Sequence, residues 1–201
     1  MRKIFFATRN QSKVERFREK LSKLGVQIIS ISDLGQNINV EENGKDAIEN
    51  AIIKAKAYAN FVNMPVVAMD DNLYIDDIPE DKQPGMYVRR VGGKRLTDEE
   101  MIDYYSKLAH DYGDQGKLTC RWVYGLAIIN QGRVSTYSWS KEDFYIVEIP
   151  CNKRCPGYPL DSISVNKKLN KYFTDMTEED KISPQEDESD IIDFIASCLE
   201  I

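Results

Sequence analysis

Residues 4–24 of this 201-residue chain read IFFATRNQSKVERFREKLSKL. Ile4–Ala7 is a short apolar run, the signature of a buried strand. Ser12-Lys13-Val14-Glu15 has the form of a capping box, with Ser12 placed to accept from the Glu15 amide. Val14, Phe17, Leu21 and Leu24 then recur at helical spacing, and Gly25 stands where a C-cap glycine belongs. Val26–Ile31 follows as a second strand. Strand, helix and strand in succession set the class as α/β.

The pattern continues outward from there. Lys45–Asn63 reads as a long helix with Ala47, Ala51, Ala55, Tyr58 and Val62 along one stripe. Pro65–Met69 is a third strand that ends at Asp70-Asp71. Thr97-Asp98-Glu99-Glu100 is a second capping box and opens a helix to about Asp111. After the polar turn Asp111–Lys117, Leu118–Asn130 is a long strand, and Val134–Ser138 pairs with it across Gln131-Gly132 as a hairpin. Phe144–Ile149 is a further strand, Cys151–Ser164 a loop with two prolines, and Ile191–Leu199 a terminal helix. Helices alternating with strands, followed by a hairpin-rich middle, predict a mixed α/β fold.

Composition bounds the rest. With 42% hydrophobic residues the chain has enough apolar material for one compact domain over 1–201. Charged residues make up 30% and the formal charge is -6, which argues against a general nucleic-acid coat, since that needs a basic face. The apolar run after Met1-Arg2-Lys3 stops after four residues, short of the roughly 7–15 of a secretory core. No stretch approaches the roughly 20 apolar residues of a membrane span. A cytoplasmic protein without a membrane partner is expected. Cys120, Cys151, Cys155 and Cys198 are expected as free thiols. Zinc at Cys151 and Cys155 would need two further ligands, and the one histidine is His110, so none is expected.

Four stretches carry chemistry. Thr8–Lys13 joins a buried strand to a helix N-terminus, where free amides and the helix dipole attract phosphate; alone, it is also an ordinary capped turn. Glu42-Asn43-Gly44 offers a hard oxygen donor for Mg²⁺, or is a solvated acidic turn. Lys54, on the helix that follows, reaches a phosphate or pairs with Asn50 or Glu49. Asp70-Asp71 is more telling, because two carboxylates at the end of a buried strand are costly without a cation, and ligands in α/β sheets gather at strand ends. The competing reading is an ion pair with Arg89, Arg90 or Lys94. Arg90, after Pro84-Gly85-Met86-Tyr87, is a bidentate phosphate clamp or a partner of Asp76 and Asp77.

In order and spacing, these pieces resemble the inosine triphosphate pyrophosphatase family, whose members hydrolyse deaminated purine nucleoside triphosphates. The family's Thr-x-Asn-x-x-Lys is here Thr8-Arg9-Asn10-Gln11-Ser12-Lys13. Its Glu-x-Gly is Glu42-Asn43-Gly44, and its Glu-Asn-Ala-x-x-Lys-Ala is Glu49–Ala55. Its Asp-Asp is Asp70-Asp71, and its Pro-Gly-x-Tyr is Pro84–Tyr87. The resemblance implies an elongated α/β fold with a mixed central sheet and two lobes flanking a cleft. It implies a phosphate and metal half at 1–95 and a base-recognition and dimerisation half at 96–201. Thr8, Arg9, Asn10, Lys13, Lys54, Asn72, Arg90, Tyr158 and Lys181 become substrate contacts. Glu42 and Asp71 become Mg²⁺ ligands, with Asp71 and Lys54 catalytic and Asp71 orienting or deprotonating the attacking water. A homodimer is implied as well.

Departures from the family lie in both halves and are larger in the second. Arg9 stands where the family has glycine, and Asn72-Leu73-Tyr74 where it has Ser-Gly-Leu. Against Gly-Phe-Gly-Tyr-Asp-Pro the chain has Cys155-Pro156-Gly157-Tyr158-Pro159, keeping only Gly157 and Tyr158 in register. Lys181 is followed by Ile182–Asp187, where the family's Ser-His-Arg is missing. A site that loses its base-edge partners loses discrimination, so an altered base pocket is expected. Rival readings are a nucleotide binder without turnover and a Maf-like pyrophosphatase for a different nucleotide.

Overall fold

The computed structural model describes residues 2–35, 38–181 and 188–201, with side chains throughout except those of Ser12 and Lys181. Ile182–Asp187, where the family's Ser-His-Arg was sought, lies outside the described residues. Strands are β1 (Arg2–Phe6), β2 (Val26–Ser30), β3 (Val66–Ile75), β4 (Arg90–Val91), β5 (Lys94–Arg95), β6 (Lys117–Asn130), β7 (Arg133–Lys141), β8 (Phe144–Val147) and β9 (Ser164–Asn166). Helices are α1 (Gln11–Lys23), α2 (Ile31–Leu34), α3 (Ala47–Ala59), α4 (Asp98–Tyr112), α5 (Glu178–Lys181) and α6 (Ser189–Leu199). The strand order is β2-β1-β3-β6-β8-β9 with β7 beside β6, and the expected mixed α/β fold is what is found. Among the described residues no helix is long and apolar enough to cross a membrane. All four cysteines are free.

The chain forms two compact units, one of residues 1–71, 124–139 and 188–201 and one of residues 72–123 and 140–187. In the first, β1 pairs in parallel with β2, Ile4 opposite Ile28, and with β3, Phe5 opposite Val66. Alternation along β1 sends its aromatics to opposite faces. Phe6 meets Phe17 of α1 edge-on at 5.8 Å, and Phe5 meets Tyr58 of α3 at 5.1 Å. The strand is thus covered by a helix on each side, as parallel strands require. Gly125 on β6 lies against the backbone of Ala47 and Ile48, with no room for a Cβ, so α3 starts in direct contact with the sheet.

In the second unit, α4 packs Met101, Ile102, Tyr105 and Leu108 into a core with Leu73, Ile75, Phe144 and Ile146. The Tyr105 hydroxyl donates to the Val88 carbonyl at 2.9 Å. β8 pairs antiparallel with β6 and with β9.

Several boundaries depart from expectation. α1 begins at Gln11, because the Asn10 carbonyl accepts from the Lys13 and Val14 amides; Ser12 therefore lies inside the helix and is not its cap. α3 spans Ala47–Ala59 and not Lys45–Asn63, since Asp46 caps it by accepting from the Glu49 amide at 2.8 Å. β3 does not stop before the acidic pair. It runs through Asp70-Asp71 to Ile75, because Leu73 pairs by backbone with Gly85 and Ile75 with the Gln83 side chain. The short elements α2, β4, β5 and β9 carry no periodic signal long enough to read. The capping box at Thr97–Glu100 and the hairpin at Gln131-Gly132 form as expected, the latter with both turn residues at positive φ.

Candidate active site

The first unit gathers the phosphate and metal candidates. β1 delivers the Thr8–Lys13 turn to the start of α1, where the Asn10 amide donates to Thr8 Oγ1 at 3.1 Å. Lys13, one turn into the helix, pairs with the Asp71 carboxylate on β3. From α3, Lys54 Nζ reaches Glu42 Oε2 at 3.2 Å and Asp70 Oδ1 at 3.5 Å, and lies 3.4 Å from the Met69 carbonyl. Lys54 is therefore not paired with Glu49 or Asn50 on the surface, and its side chain is only 13% exposed. In the second unit Arg89 pairs with Asp98 and Lys94 with Glu100.

Three carboxylates thus face two ammonium groups, leaving negative charge in excess. Asp70 registers this. Burial raises its pKa above the ordinary value, Lys54 and Lys13 pull it back, and Asp71 and Glu42 push it further up. The other four side chains of the cluster thus all act on Asp70. Such a group of hard oxygens with surplus charge suits Mg²⁺, which takes one or two carboxylates and fills its remaining positions with water and substrate phosphate. Among the described residues no three carboxylate, histidine or cysteine side chains close into a metal cage.

Arg9 is exposed and held by its own chain. Its Nη2 donates to the Ile38 carbonyl at 3.1 Å, and its side chain hydrogen-bonds the phenol of Tyr58. The remaining candidates belong to the second unit. Asn72 is buried beside Tyr74, its Nδ2 at 3.3 Å from the Tyr74 hydroxyl and its Oδ1 unpartnered among the described residues. Arg90 lies exposed on the β4–β5 ribbon. Tyr158 follows Gly157, which is at positive φ, and precedes a short 3-10 turn at Pro159–Ser162. Lys181 closes α5, and its side chain is outside the described part.

The sequence reading passed over Asn50 and Tyr58 as site residues. Asn50 is 2% exposed and accepts the Gly44 amide at 2.8 Å. Its signal was available: it precedes Lys54 by one helical turn and so shares a face of the helix with it.

Fold and site together define an α/β protein with the charge pattern of one that handles nucleoside triphosphates. Residues 4–185 match the Ham1 family. The dITP/XTP pyrophosphatase of Bacillus subtilis (strain 168) is 32% identical over 182 residues, 90% of this chain and 89% of that protein. The dITP/XTP pyrophosphatase of Oceanobacillus iheyensis is 30% identical over 171 residues, 85% of this chain and 84% of that one. The solved structure of the Staphylococcus aureus Ham1 protein superposes with a TM-score of 0.74 at 25% identity, covering 99% of this chain and 98% of that one. The chain belongs to the Ham1 family, and the resemblance carried by the five motifs is borne out.

Proposed function

We propose that this chain is a Mg²⁺-dependent pyrophosphatase of nucleoside triphosphates. The substrate class is the deaminated purines, ITP, XTP and dITP. The observation that carries the reading is the lysine–carboxylate cluster of Lys13, Lys54, Glu42, Asp70 and Asp71 on the turn, helix and strand of one unit. Membership of a family whose relatives bear the name dITP/XTP pyrophosphatase supplies the substrate class.

Water attacks the α-phosphorus, the bond from that phosphorus to the bridging oxygen breaks, and pyrophosphate leaves with the bonding electrons. Asp71 orients the water and accepts its proton. Charge builds on the phosphoryl oxygens, and Lys13 and Lys54 are the cations placed to offset it. Glu42 and Asp71 would hold Mg²⁺, which would supply Lewis-acid stabilisation of that same charge. Lys13 and Lys54 neutralise the carboxylates of the cluster. Thr8, Arg9, Asn10, Asn72, Arg90, Tyr158 and Lys181 complete the substrate contacts. The changed segment around Cys155–Pro159 gives a base pocket of altered selectivity. The active form is a cytoplasmic homodimer.

The test is pyrophosphate release from ITP, XTP, dITP and the common nucleotides with Mg²⁺. Release from a deaminated purine triphosphate is expected, with a loss of about 10²-fold or more in Asp71→Asn. A flat panel would support the reading of a binder without turnover, and full activity in Asp71→Asn would remove Asp71 from its role.

A further inference from the structure

Asn50, Lys54 and Tyr58 recur every four residues along α3 and so share one stripe of the helix. Each meets a different point of the segment 38–44. Asn50 Oδ1 accepts the Gly44 amide at 2.8 Å, Lys54 reaches Glu42 at 3.2 Å, and the Tyr58 phenol meets the Ile38 backbone. The order is reversed, so the segment runs antiparallel to the helix. Between Gly44 and Glu42 the extended chain spans at most about 7 Å, and one helical turn from Asn50 to Lys54 rises about 6 Å. The two lengths are nearly equal, so the segment runs close alongside the helix here. Between Glu42 and Ile38 the chain can span about 13 Å against the same rise of about 6 Å. That side is loose and needs Arg9 to gather it against Tyr58.

Space confirms which anchor is tight. A Cβ on Gly44 would lie 2.7 Å from the Asn50 amide nitrogen and 2.8 Å from its Oδ1, so only glycine allows this approach. Gly44 and Asn50 are both buried, whereas the Glu42 side chain is 40% exposed. The carboxylate end is thus mobile unless its backbone is pinned.

We infer that Asn50 is a positioning residue: by holding the Gly44 amide it sets the Glu42 carboxylate against Lys54, ready for a divalent cation. This rests on the reading of Glu42 as a metal ligand. Partners that orient a metal ligand are worth about 10- to 100-fold in metal affinity.

The experiment compares Asn50→Ala, which removes the acceptor, with Asn50→Asp, which keeps one, and with Gly44→Ala, which pushes the segment away and leaves Asn50 intact. Three quantities are read on folded, full-length protein: exchange of the Gly44 amide hydrogen, binding of Mn²⁺ from the spectrum of the free ion, and pyrophosphate release against metal concentration. In Asn50→Ala and Gly44→Ala the expected results are faster exchange of the residue-44 amide hydrogen and Mn²⁺ affinity lowered about 10- to 100-fold. The kcat at saturating metal stays near wild type. Asn50→Asp keeps the acceptor, so its residue-44 exchange and Mn²⁺ affinity stay closer to wild type than those of Asn50→Ala. Unchanged Mn²⁺ affinity in a folded Asn50→Ala overturns the inference, and so does equal failure of the Asp and Ala variants. Should the wild type bind Mn²⁺ as expected yet release no pyrophosphate, the positioning role stands and the proposed activity falls.

Discussion

Lys54 and Glu42 meet at 3.2 Å, and the same ammonium lies 3.5 Å from Asp70, so one cation serves two carboxylates from different parts of the chain. Replacing Lys54 by Met keeps the bulk of the stem and removes the charge. Asp70 is mostly buried and would lose its main neutralising partner. Breaking a buried pair costs several kcal/mol, and the 40% exposure of Glu42 lowers that, so a loss of roughly 2–3 kcal/mol is expected. Mg²⁺ replaces the missing charge. The melting temperature of Lys54→Met is expected to rise more on adding Mg²⁺ than that of the wild type; equal shifts would mean that the cluster does not take the metal.

Lys13 is the second cation of the cluster and pairs with Asp71. Its proposed task is to hold triphosphate oxygens by a charge-assisted hydrogen bond, worth about 1.5–3 kcal/mol. Lys13→Gln is therefore expected to lower kcat/KM by about 10- to 100-fold. The deficit should narrow as salt rises and screens the wild-type attraction. Steady-state kinetics at low and high ionic strength check this, and a deficit independent of salt would point to misfolding of the turn instead.

Gly125→Ala tests how α3 is seated. A Cβ at this position would overlap the backbone of Ala47 and Ile48, which cannot give way like a side-chain tip. Overpacking of this kind costs about 1–3 kcal/mol. Because α3 carries Asn50 and Lys54, activity is expected to fall along with the urea midpoint. A variant as stable and active as the wild type would show that the helix can move without consequence.

What the sequence disclosed follows from how local each signal is. The Thr8–Lys13 turn, the Thr97–Glu100 cap and the Gln131-Gly132 hairpin are written in adjacent residues, and they were legible. Asp70-Asp71 was recognised as important because its cost in a buried strand is visible from composition alone. Its place inside β3 was not visible, since the pairings of Leu73 with Gly85 and of Ile75 with Gln83 that extend the strand come from residues well downstream. The choice of Lys54 and Lys13 as partners, and of Arg9 for Ile38 and Tyr58, is likewise made by tertiary packing. Gly125 and Asn50 escaped notice for the same reason: a glycine in a strand and an amide on a helix acquire meaning only from the backbone that approaches them.

The cap of α4 gives a prediction about pH. Glu100 accepts from Lys94 Nζ at 2.5 Å and from the Thr97 amide at 2.8 Å, while its own amide donates to Thr97 Oγ1 at 3.3 Å. The Lys94 hydrogen bond first, and the Thr97 bonds after it, hold the carboxyl down from 4.5 to about 2. A depressed folded-state pKa means that the unfolded chain binds the proton more readily, so stability rises with pH across that window. The contribution is fully present above about 4.5 and is lost as pH falls toward about 2. The group is solvent-exposed, so the effect is small. Glu100→Gln keeps the shape of the box and removes its charge. Its melting temperature is expected to lie below that of the wild type at pH 7, with the gap closing as the pH falls through the window. A gap that stays constant from pH 7 to pH 2 would show that the carboxylate charge adds nothing to the cap.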